Sequence, residues 1–324
     1  MAAPTVKAPP GSVSSPLGDP RQPVGLRMRR LMGSLPNWVL WTIVVLWTIP
    51  TFGLFVSSFR QVEDINTSGW WEALNPAQWT DFTIQNYRDV FEDRAGVSSL
   101  SDSFLNSVAI VIPATIIPIA VAAFAAYGFA WIDFKGRNWF FIFIVSMLAL
   151  PNQMTFIPLI QFFQNGAHLT LFDQTFTLFP ETGLANTAAS VWLTHTAFGL
   201  PLALFLLHNY ISQLPKDIFE AARIDGADHF TIFWRLVLPL SRPALAAFAV
   251  FQFLWTWNDL LVAQVFLNTN EPLTVTLVNL TGQFGDDFQL LFPAAFIITI
   301  VPLIVFFSMQ KHFVRGLLAG SVKG

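Results

Sequence analysis

The sequence predicts an all-α integral membrane protein with six transmembrane helices. Three observations carry that expectation. Residues of the AVILMFWYC set make up 54% of the chain and charged residues 11%, less than half of the roughly 25% found in a soluble domain. The 34 Phe and 12 Trp among 324 residues exceed what one water-soluble core of this length can enclose. Six gaps between charged side chains each reach the ~20 apolar residues that a helix needs to cross a bilayer.

Residues 1–35 are rich in Pro, Gly, Ser and Arg and lack an apolar period, the composition of a disordered cytoplasmic tail. They do not read as a signal peptide, because the first apolar run starts late, is long and lacks a small-residue cleavage site. Residues 36–324 then form one six-span domain. Span one covers 37–59, and the outer loop after it, 60–102, contains Trp70, Trp71, Trp79 and Tyr87. Span two lies between Asp102 and Asp133, and span three runs from Arg137 to about Phe163. The second outer loop, 164–186, contains Phe-Pro-Glu-Thr-Gly at 179–183. That string is near a cell-wall sorting signal, but it is internal and lacks the preceding Leu-Pro, so it reads as a plain turn. Span four lies between Glu181 and Lys216, with His195 and His208 as its titratable groups. Span five covers 243–267 and contains one acid, Asp259; span six lies between Asp287 and Lys311. Pro113, Pro118, Pro151, Pro158, Pro201 and Pro302 fall inside spans. A membrane bundle tolerates them where neighbours re-satisfy the freed backbone groups.

Charge sorts by side. With the N-terminus inside, Lys7, Arg21, Arg27, Arg29, Arg30, Lys135, Arg137, Lys216, Arg223, Arg235, Arg242, Lys311, Arg315 and Lys323 are inner, 14 of the 17 basic residues. Arg60, Arg88 and Arg94 are outer, and 13 of 20 acids join them. The positive-inside rule therefore sets both termini in the cytoplasm. The formal net charge of −3 is a cancellation between two faces. Trp38, Trp41, Trp131 and Trp139 fall near span ends, as in an aromatic belt. The absence of cysteine excludes disulfides, thiolate metal sites and a Cys nucleophile.

The inner stretch 212–240 is the most informative. Pro215 suits a first helical turn, and Asp217 and Glu220 favour that helix's positive end. Ala221 and Ala222 make a small, smooth face that another protein's groove can approach closely. Gly226 can take the left-handed conformation that ends a helix. Phe230, Phe233, Trp234 and Val237 then recur at i, i+3, i+4 and i+7, an amphipathic stripe, and Pro239 interrupts. On these grounds the stretch is either an ordinary interfacial connector or a surface for another protein.

Glu220-Ala221-Ala222, three residues, Gly226, nine residues and Leu236-x-Leu238-Pro239 resemble the EAA loop of ABC-importer permeases (EAA-x3-G-x9-I-x-L-P), with Leu236 in place of the usual Ile. Trp257-Asn258-Asp259 and the tail from Phe313 to Gly324 resemble carbohydrate permeases of the maltose-importer type. The Trp-rich outer loop and 248–266 look most like α-glucoside permeases. The resemblance covers roughly 36–324. It implies a type I ABC importer permease fold in a bacterial inner membrane. It also implies a second permease, a paralogue in such families, two ATPase subunits that bind ATP and Mg, and an extracytoplasmic sugar-binding protein. Glu220, Ala221, Ala222, Asp225, Gly226, Leu238 and Pro239 would then form the ATPase-coupling surface, and the C-terminal tail would reach toward the ATPase dimer interface.

This chain is expected to hold no cofactor. It has no Gly-x4-Gly-Lys-Ser/Thr phosphate loop, Gly320-Ser-Val-Lys-Gly324 is too short and lacks the hydroxyl, and the 5 His are scattered. No catalytic triad spacing or nucleic-acid signal is present, so it is not expected to be an enzyme itself. An acid inside a span is a functional hypothesis. Asp259, beside Asn258 and near Trp255 and Trp257, either lines a sugar pathway or caps a neighbouring helix. Asn152 and Gln153, next to Pro151, either face a cavity or bond a neighbour. His195 reads as a packing residue first and a pathway residue second. A stand-alone secondary transporter or channel would need inverted repeats and more intramembrane charge, and neither is clear. A membrane enzyme would need convergent catalytic groups, and none is found.

Overall fold

The computed structural model describes residues 36–92, 98–172, 174–280 and 287–319. The expected tail at 1–35 and the last residues, 320–324, lie outside them, as does Arg94. The chain divides into two compact units, Met1–Leu54 and Phe55–Gly324. The first carries most of helix α1 (Asn37–Ser57); the second carries every other described element.

Helix α2 (Val62–Thr67), two 3-10 turns (Trp70–Leu74, Pro76–Asp81) and α3 (Gln85–Asp89) make up the first outer loop. Helix α4 (Leu100–Trp131) is a single rod of 32 residues whose first turn is capped by the Ser99 hydroxyl. Then come α5 (Arg137–Ser146), α6 (Phe156–Asn165), strands β1 (Ala167–Leu171) and β2 (Gln174–Phe179), and α7 (Ala188–Ile211). The inner stretch holds α8 (Lys216–Ile224), α9 (His229–Ile232), a π-helical turn (Phe233–Val237) and α10 (Leu238–Leu240). Helices α11 (Arg242–Trp257), α12 (Leu261–Phe266), α13 (Leu273–Asn279) and α14 (Phe288–Ala319) complete the described chain.

Among the described residues, four helices are long and apolar enough to span a membrane, and six spans result if each of two bent pairs counts as one. The bends give angles to the breaks that the in-span prolines introduce. Span three breaks by 102° between 137–149 and 152–165, and α11 turns 71° away from the segment 229–240. Span five as a helix stops at Trp257, so Asn258 and Asp259 sit in a break rather than on a helix face. The second outer loop is also not all turn. Antiparallel pairing of Leu169 with Phe176 and Thr170 with Thr175 builds a two-stranded hairpin, the one departure among the described residues from an all-α chain.

The prolines explain how such a bundle holds. Proline at i cannot donate to the carbonyl at i−4. Pro113 frees the Ala109 carbonyl, which accepts the Trp192 indole N–H at 3.0 Å. Pro118 frees that of Ala114, which accepts the Gln252 amide at 3.2 Å. Pro302 frees that of Ile298, which accepts the Trp257 indole N–H at 3.3 Å. Each plug comes from a neighbouring helix, so α4, α7, α11 and α14 are bonded together at points where proline would weaken them. Gln252 reaches its site because position 199 is glycine; a Cβ there would lie 2.6 Å from the Gln252 Oε1.

Small side chains set the closest packing. Ala122 and Ala126 of α4 and Ala203 of α7 have 0% exposure, the small-residue contact that lets membrane helices approach where lipid gives no hydrophobic drive. Away from the 212–240 stretch, Leu100, Trp257, Leu273, Leu290 and Ala294 form a second core. There the Ser103 hydroxyl bonds that of Thr276 at 2.6 Å, and the Leu273 N–H donates to the Ser107 hydroxyl at 2.8 Å.

Candidate functional site

The loop 212–240 is built as a locally specified shape. Helix α8 starts one residue later than expected, with Pro215 at its N-cap and Asp217 in its first turn; Glu220 lies a turn further on. It ends in a Schellman closure. Gly226 has φ +80°, its N–H donates to the Arg223 carbonyl at 3.0 Å, and the Ala227 N–H donates to that of Ala222 at 2.9 Å. A Cβ on Gly226 would meet nothing within 4 Å. Conformation, not crowding within this chain, therefore calls for glycine. Asp228 caps α9 by accepting the Thr231 N–H at 2.8 Å. The Thr231 hydroxyl, then that N–H, hold its carboxyl below the usual carboxylate range. Glu220, Ala221, Asp225 and Pro239 are exposed, and Ala222 and Leu238 are half-buried.

One face of α4 grips both halves of this loop. Trp131 stacks on buried Phe219 at 3.8 Å and donates its indole N–H to the Ile211 carbonyl. Tyr127 bonds the His229 Nδ1 at 2.8 Å, and Phe124 stacks on Phe233 at 4.2 Å. Trp131, at the end of its span, is therefore a clamp on the loop. The expected stripe divides as well: Phe233 and Val237 are buried, while Phe230 and Trp234 are 65% and 49% exposed. The π-helical turn rotates them apart, and Pro239, which cannot donate to Arg235, sits where such a turn widens.

The second feature is a cavity of about 1140 Å³ where the breaks of spans three and five meet α7. Its walls are apolar, with Phe198, Phe251 and Trp255 supplying rings and Asn152, Thr155, Asn258 and Asp259 the polar groups. Asn258 commits one amide N–H to the Leu254 carbonyl at 2.7 Å. Asp259 faces two ways. It lines the cavity, yet its carboxylate accepts the Val262 N–H at 3.0 Å, capping α12. Its other neighbour is the His195 Nε2 at 3.6 Å, beyond hydrogen-bonding range. His195 is 2% exposed and stands behind Asp259 rather than in the cavity.

Two sequence expectations need correction. Trp257 is 3% exposed, packs against Phe104 and Phe253, and plugs the proline-freed carbonyl of α14. It is a core residue, and Trp255 supplies the cavity's indole. Gln153 is exposed and does not line the cavity, whereas Asn152 does. The clamp formed by Phe124, Tyr127 and Trp131 is absent from the sequence expectations. Its i, i+3, i+7 spacing is present, but it is hidden in a helix apolar on every side.

Comparisons with known proteins agree with this architecture. The chain is 50% identical over 286 residues to the osmoprotective compounds uptake permease protein GgtD of Synechocystis sp., covering 87% of this chain and 89% of that one. It is 49% identical over 247 residues to the alpha-glucoside transport system permease protein AglG of Rhizobium meliloti, covering 75% of this chain and 61% of that one. In fold it resembles a chain from the crystal structure of a bacterial ABC transporter involved in the import of the acidic polysaccharide alginate. The TM-score is 0.63 at 19% identity, over 91% of this chain and 99% of that one. The binding-protein-dependent transport system inner membrane components match over residues 119–318, a range holding both the loop and the cavity, and the chain belongs to that family.

Proposed function

We propose that the chain is one of two permease subunits of an ATP-driven sugar importer, that its solute is an α-glucoside or related oligosaccharide, and that the loop 212–240 seats a separate ATPase. The distribution of basic residues supports a cytoplasmic position for both termini. The cavity carries the reading. Its volume of about 1140 Å³ exceeds the roughly 300–1,000 Å³ of ordinary ligand pockets, which suits an oligosaccharide better than a small ion. Its rings can meet the C–H faces of sugar rings, and its few amide, hydroxyl and carboxylate groups can meet sugar hydroxyls. The relatives named for alpha-glucosides and for arabinooligosaccharides, the latter 31% identical over 304 residues, support the solute class. A single carboxylate, Asp259, among apolar walls disfavours an anionic solute.

The motor surface is the exposed part of the loop, and the clamp on α4 gives its movement a route into the spans. An extracytoplasmic binding protein favours the outward-facing state through differential affinity. The test is uptake of a labelled α-glucoside into proteoliposomes holding the chain, its partner permease, the ATPase and the binding protein. Uptake should need ATP and all components, and Asp259→Asn should let in a sugar acid that the unmodified complex rejects. Uptake by this chain without an ATPase would refute the reading.

A further inference from the structure

Among the prolines inside the described helices, Pro201 is the one that lines the large cavity. The carbonyls freed by Pro113, Pro118 and Pro302 are each taken by an indole or amide N–H from a neighbouring helix. Pro201, in the middle of α7, frees the carbonyl of Ala197 in the same way. Ala197 and Pro201 both line the large cavity, as does Phe198 between them. A helical carbonyl points along the axis toward the residue four positions on, and here the residues at both ends of that gap line the cavity. Ala197 is exposed there, and among the described residues no side chain donates to its carbonyl.

We infer that the Ala197 carbonyl is a solute-binding acceptor, held free by Pro201, which takes a hydrogen bond from one sugar hydroxyl in the translocation cavity. This rests on the proposed sugar-importer reading and adds to it a backbone group that no side-chain search would find. The chemistry fits a neutral, hydroxyl-rich solute. A carbonyl accepts from an O–H and gives nothing back, so it selects for hydroxyls and against carboxylates. Gly199 admits Gln252, and Ala197 is the smallest of the α7 side chains that line the cavity.

The test is Pro201→Ala in the full importer, with binding protein saturated. The new N–H closes the helical bond to Ala197 and removes the free acceptor, while a helix without an internal proline is itself no less stable. One net hydrogen bond of this kind is about 0.5–1.5 kcal/mol, so maximal glucoside uptake should fall roughly two- to ten-fold. A set of monodeoxy glucosides supplies the specific readout. In the unmodified complex one of them should be transported worse than the parent by a similar factor, and Pro201→Ala should abolish that difference. Pro118→Ala is the comparison, because Gln252 already occupies the carbonyl it would re-bond; it should leave the parent-to-deoxy ratio unchanged. An unchanged ratio in Pro201→Ala, or the same shift in Pro118→Ala, would overturn the assignment in favour of helix geometry. Absence of ATP-dependent glucoside uptake by the unmodified complex would instead count against the importer reading itself.

Discussion

Replacing Gly226 asks whether the shape of the inner loop is what a partner recognises. The residue is held at φ +80°, and two hydrogen bonds of 3.0 and 2.9 Å close α8 around it. A Cβ there would meet nothing within 4 Å, so clashes within the chain contribute nothing to the effect. The cost is conformational, about 1–2 kcal/mol for an L-residue held left-handed and more for a β-branched one. Retreat to negative φ forfeits the closing bonds instead, at about 1 kcal/mol each. A penalty of about 2 kcal/mol shifts the equilibrium between the docked shape and its alternatives roughly thirty-fold. Gly226→Val should therefore reduce ATPase co-purification and ATP-dependent uptake by up to that factor while the chain still inserts. Gly226→Asn discriminates between causes, because Asn visits the left-handed region at little cost; it should recover most of the docking. The assay is pull-down of the ATPase from solubilised membranes alongside uptake in vesicles. Normal uptake by Gly226→Val would refute the argument. Equal failure of Asn and Val would locate the cause in a partner surface pressed against the bare Cα.

Other outcomes follow from the same geometry. Trp257→Ala removes a buried ring and unplugs the Ile298 carbonyl, so it should cost about 3–5 kcal/mol and lower the yield of assembled complex, whereas Trp255→Ala should assemble normally and weaken solute transport; thermal unfolding and uptake separate the two. Arg60 is 4% exposed and donates to the Ser68 and Asp64 carbonyls and the Ser68 hydroxyl at 3.0, 2.9 and 2.5 Å. Hydrogen bonds from a charged donor are each about 1.5–3 kcal/mol, so Arg60→Ala should open 61–81 to chymotrypsin. Unaltered protection would show that the loop is held by other contacts.

Much of this architecture is visible in the sequence because lipid admits few solutions. Gaps between charges locate the spans, and α4, α7 and α14 fall where those gaps lie. The EAA-type spacing locates a loop whose glycine conformation and caps only the structure supplies. Which of the in-span prolines break a helix, and by what angle, is not legible. Pro113 and Pro118 sit in an unbroken helix, while the break of span three falls at 150–151, and nothing local distinguishes these prolines. At Pro113 and Pro118 a Trp or Gln from another helix takes up the freed carbonyl, and that is long-range information. The choice between Trp255 and Trp257 is hidden for a related reason. Two residues are about 200° apart on a helix, and α11 is apolar around its whole circumference, so no period shows which ring faces the cavity. The hairpin at 167–179 is legible in principle, since Leu-Thr-Leu and Thr-Phe-Thr-Leu alternate with period two.

The break after Trp257 also bears on how the protein is made. Helix α11 has 16 residues, a rise of about 24 Å, against a hydrocarbon layer of about 30 Å. The remainder is crossed by irregular backbone that carries Asp259, for which membrane insertion alone costs about 2.5–3.5 kcal/mol at mid-depth. The Asp259 carbonyl is satisfied by the Thr274 hydroxyl at 2.7 Å, and Thr274 leaves the ribosome 15 residues later. Part of the backbone hydrogen bonding at this break is thus supplied by chain that follows it, so a chain cut before Thr274 is expected to hold the segment around Asp259 less firmly in the bilayer.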